Sequence, residues 1–209
     1  MKSVKVQKKL TLSALFASLI CAGCFIQIPL PGGVPIVIQD MMAMLSGLLL
    51  GPVFGGLAVL LFLLLGTVGL PVFTGKAGLH VLLAGPTSGF LWGYFFAAVI
   101  GGTILALFEL TQKHAADKSG QNEASPEPQA KKSLASSIAR IAIITLAALV
   151  ATITAFACGV AGGIIVMHLP LEKALPLYVL PFIPGNLIKL VLMVLLTQKF
   201  RPTILAYTN

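Results

Sequence analysis

Long apolar runs, punctuated by Gly and Pro, dominate the chain from Leu10 onward. A bilayer core about 30 Å thick takes about 20 residues of helix, so runs of that length are candidate spans. Six fit. The first covers 10–28 and stops at Pro29, Pro31, Gly32 and Gly33. The second covers 34–50, where Gly51 and Pro52 break what would otherwise be one very long segment. Pro52 suits the first turn of a new helix, where its missing N–H is no loss, so a third span covers 52–69. The fourth opens the same way and covers 86–108, and the fifth and sixth cover 138–168 and 178–198. Gly51-Pro52-x-x-Gly55 and Gly85-Pro86-x-x-Gly89 form a weak internal repeat, each a loop entering a helix beside small residues suited to close packing. Between the fourth and fifth spans, residues 111–136 form the one polar low-complexity stretch, which reads as a flexible cytoplasmic linker. The pattern predicts an all-α polytopic membrane protein, a six-helix bundle forming a single membrane domain over 1–209.

Charge orients the spans, because short cytoplasmic loops are enriched in Lys and Arg. With the N-terminus inside, Lys2, Lys5, Lys8 and Lys9, then Lys113, Lys118, Lys131, Lys132 and Arg140, then Lys199 and Arg201 all fall on the cytoplasmic side, 11 of the 14 basic residues. Removing the break at Gly51-Pro52 would leave five spans and put the linker outside, so charge supports the break. Both termini are expected to be cytoplasmic, in a multi-pass protein of the cytoplasmic (inner) membrane. Composition agrees: 57% of residues are hydrophobic and 10% charged, too few to cover a soluble core. The net charge of +8 is that of basic residues at membrane edges, which sets nucleic acid aside. Ala22-Gly23-Cys24 imitates a lipoprotein cleavage box, but Cys21 stands where Leu is usual and further spans follow. Cys21-x-x-Cys24 imitates a redox pair outside the soluble context in which such pairs act.

One ionisable residue lies deep within a span. Lys189 is about 11 residues, roughly 16 Å, beyond Tyr178. Burying such a group costs about 2.5–3.5 kcal/mol on insertion scales and calls for a partner or a wet cavity. Asn186 lies one turn before it and Met193 continues the stripe, while Pro181, Pro184 and Gly185 break the backbone just upstream. Together they describe a polar spot approached from outside. Gln39 and Asp40, at the outer start of the second span, are second contributors, Asp40 also as a structural partner for Lys189. The stretch Gly69-Leu70-Pro71-Val72-Phe73-Thr74-Gly75-Lys76, followed by Gly78, is too apolar for a solvated linker and is expected to fold over the cavity as a lid. It fails as a phosphate loop, because Leu70 replaces the first Gly and Ala77 follows the Lys. His80, His168, Trp92, Tyr94 and Phe95 read mainly as interfacial anchors. No metal-ligand spacing and no nucleophile with a base is visible, so no enzyme activity and no cofactor is expected. Ala14, Ser18 and Ala22 repeat every four residues on the first helix, a smooth strip where another helix can approach, within the bundle or from a partner.

These residues resemble the BioY family of biotin transport proteins. The likeness rests on Val34-Pro-Ile-Val-Ile-Gln39, Gly51-Pro52 with Gly55, Gly66-x-x-Gly69-Leu-Pro-Val-Phe73, Gly85-Pro86-Thr87 with Gly89, and Pro181-Phe-Ile-Pro-Gly-Asn-Leu-Ile-Lys189, and covers the chain outside 111–136. The resemblance implies a six-helix substrate-binding (S) component of an energy-coupling factor transporter. Such a component takes up biotin from outside and works with a transmembrane T subunit and two ATPase subunits, although some members act as solitary carriers. It implies that Asn186 and Lys189 contact biotin, that the Gly69–Phe73 loop closes over it, and that Ala14 and Ser18 belong to the T-subunit docking strip. Gln39, Phe73, Thr87 and Tyr94 complete the candidate substrate contacts. Three positions depart from the family pattern: Asn186 replaces a usual Asp, Phe62 a frequent Tyr, and Ser88 a common Gly. An Asn carbonyl still accepts from a ureido N–H, but it deprives Lys189 of an anionic neighbour, leaving the biotin carboxylate and Asp40 as candidates. The alternatives are an S component for another vitamin, and an intramembrane enzyme built on His80, His168, Asp40 or Glu109.

Overall fold

Helices account for nearly all of the computed structural model, which describes residues 2–28, 36–119 and 129–208. The expected turn at Pro29 to Gly33, the start of the second span at Val34, and residues 120–128 of the linker lie outside them. In chain order the helices are α1 (Lys2–Gly23), α2 (Gln39–Val68), α3 (Leu79–Ala84), α4 (Ser88–Ser119), α5 (Gln129–Val166), α6 (Leu171–Tyr178) and α7 (Ile183–Thr208). A 3-10 turn, Leu180–Phe182, precedes α7, and a two-residue antiparallel pair joins β1 (Gln27–Ile28) to β2 (Ile36–Val37). Among the described residues, Gln39–Val68, Ser88–Gln112, Ser137–Val166 and Leu171–Thr208 are each long and apolar enough to cross a membrane.

The first of these contains two crossings. At Gly51 the backbone takes φ 83° and ψ 177°, a conformation open in practice to glycine alone, so the helix breaks there. The arms 39–50 and 52–68 then return alongside one another. Ser46 Oγ donates to the Gly55 carbonyl (3.1 Å), and a Cβ on Gly55 would strike the backbone of Gly47. In an unbroken helix residues nine apart would be separated by about 13 Å. At the far end, Gln39 Nε2 donates to the Val72 carbonyl (2.8 Å), so both arms finish at the same level. The break read from Gly51-Pro52 is therefore a hairpin.

Among the described residues, α1, the two arms of α2, α4, α5 and α7 make six passes. Lys8 Nζ donates to the Tyr207 carbonyl (3.0 Å) and its ammonium lies 4.4 Å from the Tyr207 ring, which puts both chain ends on one side of the bundle. That end also holds the Gly51 turn, since Ser13 Oγ donates to the Phe54 carbonyl (2.8 Å). Arg201 closes the same end: it forks onto Glu109 of α4 (2.7 and 3.1 Å) and donates to the Leu48 carbonyl beside the turn. The last pass turns its polar face inward and its large apolar face outward. On α7, Asn186, Lys189, Met193, Thr197 and Arg201 are buried at helical spacing, while Leu187, Ile188, Val191, Leu192 and Leu195 are exposed. That inversion suits lipid as solvent, because acyl chains accept leucine and reject polar groups.

Helix limits shift in ways that matter for the site. Tyr178 ends α6 and does not begin the last pass, so Lys189 stands six residues, about 9 Å, into α7. Helices α4 and α5 run to Ser119 and from Gln129, into the segment whose composition reads as linker.

Candidate functional site

At the end of the bundle opposite the chain termini, Lys189 lies against the start of α2. Its ammonium donates to both carboxylate oxygens of Asp40 (2.8 and 2.9 Å) and to the Val37 carbonyl (2.5 Å). The pair is largely buried, with side-chain exposures of 9% and 14%. Desolvation makes such a pair a poor source of net stability, yet removal of either partner strands the other charge in apolar surroundings. The anion that answers Lys189 is thus carried by a different helix, while Asn186, one turn away, turns its amide back to donate to the Phe182 carbonyl (2.8 Å).

Beside this pair is a narrow, mostly apolar cavity. Its volume is about 30 Å³, room for one or two waters without movement of the walls. Gln39, Asp40, Thr87 and Tyr94 supply its polar wall. Phe90, Leu91, Phe156 and Phe182 supply much of the apolar one, with Thr74 reaching in from the Gly-rich loop. Phe90 stacks on Tyr178 (centroids 5.8 Å apart, 12° between planes) and Tyr178 donates to the Pro86 carbonyl (3.2 Å), which fixes the aromatic side of the cavity to the entrance of α4.

Two amide oxygens are anomalous. Gln39 Oε1 and Asn186 Oδ1 are buried and have no hydrogen-bond partner among the described residues. Each amide is oriented by its nitrogen, Gln39 through Val72 and Asn186 through Phe182, and each presents an idle acceptor. Gln39 is fully buried and lines the cavity.

The loop 69–78 is held as a tight clasp. Gly69, Thr74, Gly75 and Gly78 all have positive φ, Phe73 and Lys76 exchange backbone hydrogen bonds (2.9 and 3.0 Å), and Gly78 N–H donates to the Gly66 carbonyl (2.8 Å). Val72 is buried, Leu70 and Pro71 are exposed, and Cys24 Sγ lies 3.8 Å from the Pro71 carbonyl. The Phe73 ring fills the space that a side chain at residue 66 would occupy and meets Phe62 edge-on (5.5 Å, 87°). Phe73 thereby anchors the loop from beneath.

Of the sequence-derived candidates, Gln39, Thr87 and Tyr94 come together on the cavity wall. Phe73, Asn186 and Lys189 stand behind it, Lys189 touching the cavity through Asp40. Phe90, Phe156 and Phe182 escaped the sequence reading, because a Phe within an apolar span carries no sign of the face it will occupy; only Phe182 fell within a flagged motif. Ser88 is buried at the first turn of α4. Ala14, Ser18 and Ala22 are exposed, with the Ser18 hydroxyl donating to the Ala14 carbonyl (3.1 Å), so the strip faces out of the bundle. His80 and His168 are exposed, and Glu109 is paired with Arg201 at the opposite end, so the residues invoked for acid–base chemistry do not converge.

The fold is that of a multi-pass helical membrane bundle with a buried, partly polar cavity near one end. The chain matches the BioY family over residues 1–206, and it belongs to that family. It is 46% identical to the biotin transporter BioY of Rhodobacter capsulatus over 101 residues, 48% of this chain and 53% of that one. It is 40% identical to the biotin transporter BioY of Thermotoga maritima over 97 residues, 46% of this chain and 57% of that one. The chain spans about half the length of the curated relatives it matches. A solved structure, the S-component for biotin from an ECF-type ABC transporter, superposes with a TM-score of 0.73 at 28% identity, covering 97% of this chain and 95% of that one.

Proposed function

We propose that the chain captures biotin from outside the cytoplasmic membrane as the S component of an energy-coupling factor transporter, working with a T subunit and two ATPase subunits and needing no cofactor of its own. The observation that carries this reading is Gln39 Oε1, fully buried on the cavity wall without a donor among the described residues. A buried polar atom left unpaired costs about 1–3 kcal/mol, which a ligand N–H recovers. The ureido ring of biotin offers two N–H donors and one carbonyl. Gln39 Oε1 and the Asp40 carboxylate accept from the donors, and the Thr87 or Tyr94 hydroxyl donates to the carbonyl. The thiophane ring and valeryl chain pack on Phe90, Phe156 and Phe182, as apolar walls with a few orienting polar groups do in small-molecule sites. Lys189 acts here as a positioning residue that holds Asp40 in place. Sequence likeness to biotin transporters and structural likeness to an S-component for biotin support the choice of ligand. Because the cavity lies at the end away from the clustered basic residues, it opens to the exterior under the charge rule. Entry requires the narrow cavity to widen, and retreat of the 69–78 clasp, which carries Thr74, is the movement that accomplishes it.

The test is calorimetry on purified protein. Gln39→Leu, which removes the idle acceptor while keeping bulk, is expected to weaken biotin binding at least tenfold, about 1.4 kcal/mol. Unchanged affinity in a folded variant, or tighter binding of a different vitamin in a ligand panel, would overturn the assignment.

Coupling to partner subunits is carried by the outward strip on α1. Ser18→Phe is expected to abolish co-purification with a T subunit and energised uptake of labelled biotin, while leaving biotin affinity of the isolated chain within twofold. Retained co-purification would assign the strip to lipid contact alone.

A further inference from the structure

A cleft wider than the proposed biotin cavity lies at the other end of the bundle. Between α4, α5 and α7 is a cleft of about 500 Å³. Its walls are apolar, formed by Leu105, Phe108, Ile143, Ile144 and Leu205 among others, and its polar groups are Arg140, Gln112 and the Arg201–Glu109 pair. That pair is internally neutralised, because the Arg201 fork engages both Glu109 oxygens (2.7 and 3.1 Å). Arg140 has no anionic partner among the described residues and is half-buried at the cleft. Among the described residues, Arg140 is thus the charge at the cleft that no carboxylate answers, above an apolar slot.

The surroundings of the mouth decide what kind of molecule can enter. Leu107 and Leu110 on α4 and Ile138 and Ile141 on α5 flank the lining residues and are all exposed. In a membrane-spanning bundle such side chains meet acyl chains, so the cleft opens toward the edge of the bilayer and not into a purely aqueous vestibule. An occupant has to be anionic at one end, apolar along its length and native to that leaflet. Guanidinium groups match phosphate oxygens by paired, charge-assisted hydrogen bonds, and basic pockets between spans on the cytoplasmic side hold anionic lipid head groups.

We infer that this cleft is a binding site for an anionic phospholipid of the cytoplasmic leaflet. The lipid phosphate is held by Arg140 and the Gln112 amide, and an acyl chain runs down the slot along Leu105 and Ile143. The bound lipid fills the space beside the Arg201–Glu109 clasp that closes this end of the bundle.

The protein, delipidated in a neutral detergent, is titrated with phosphatidylglycerol, phosphatidylcholine of the same acyl chains, or inorganic phosphate, and binding is read by native mass spectrometry and by the melting midpoint. Phosphatidylglycerol is expected to bind at least tenfold more tightly than phosphatidylcholine and to raise the midpoint, with inorganic phosphate inert at the same concentration. In Arg140→Gln the preference falls to less than twofold and biotin affinity is unchanged; in Arg140→Lys, which keeps the charge, most of the preference persists. Equal binding of the two lipids, full preference in Arg140→Gln, or equal stabilisation by inorganic phosphate would each overturn the inference. Should Arg140→Gln fail to fold, the lipid comparison on the native chain and on Arg140→Lys still decides.

Discussion

Asp40→Ala is expected to destabilise the protein by about 3–5 kcal/mol, because it leaves Lys189 charged, largely buried and without its anion. The Val37 carbonyl remains as an acceptor, but one carbonyl dipole does not replace a carboxylate that engages the ammonium through both oxygens (2.8 and 2.9 Å). Biotin affinity is expected to fall by at least two orders of magnitude, since the same carboxylate lines the cavity as a proposed acceptor. Stability and binding then separate in the double variant Asp40→Ala/Lys189→Met, which exchanges a buried ion pair for apolar bulk. Such exchanges are often neutral or stabilising. The double variant should recover most of the lost stability in an SDS-unfolding titration followed by Trp92 fluorescence, yet remain unable to bind biotin. Lys189→Ala alone should also lose at least tenfold in affinity, through displacement of Asp40. An Asp40→Ala protein as stable as the native one would show that the pair is hydrated and of no structural consequence, and normal affinity would remove it from the site.

Gly55→Leu should prevent the helical hairpin from closing. A side chain at residue 55 meets the backbone of Gly47 and Ser46 on the opposite arm, and backbone has no rotamer into which it can retreat. Overpacking of ordinary side chains costs about 1–3 kcal/mol, and a clash that backbone movement alone can relieve lies above that range. The arms would be forced apart where Ser46 bridges them, and with them Gln39 and Val72 at the far end, so the cavity wall is lost together with the fold. Yield of monodisperse protein in detergent is expected to collapse. Gly51→Ala is the milder comparison. It strains one residue at a positive φ, by about 1–3 kcal/mol, in a place with nothing within 4 Å of the added methyl. If the two variants behaved alike, the hairpin would depend on backbone strain at the turn and not on the close approach of its arms.

The passes were legible because lipid imposes length and composition, and both are written locally. Gly51-Pro52 marked the reversal since glycine is the residue that tolerates its φ, and proline the one that opens the following helix without loss. The outward face of α1 was legible only as a strip: spacing put Ala14, Ser18 and Ala22 on one side, but whether that side met the bundle or the outside depended on what packed around it. The site was legible in some of its polar members. Lys189 stands out against an apolar background because it is costly where it lies, and Gln39 stands beside Asp40 at the start of a span, whereas Tyr94 reads as an interfacial anchor and Thr87 enters only through the family motif. Its hydrophobic half was not, since Phe90, Phe156 and Phe182 differ in no local respect from the lipid-facing Phe96.

Sequence alone settled the membrane as solvent, the number of passes, the ends at which charge accumulates and the presence of a buried cation needing an answer. All of these follow from free-energy costs that a residue pays individually. Which anion answers Lys189, which amide oxygens stay idle and which aromatic rings wall the cavity were decided by tertiary structure. Those outcomes depend on which faces of separate helices meet, here the start of α2 against α7 and α4 against α5, and no single stretch of chain carries that information.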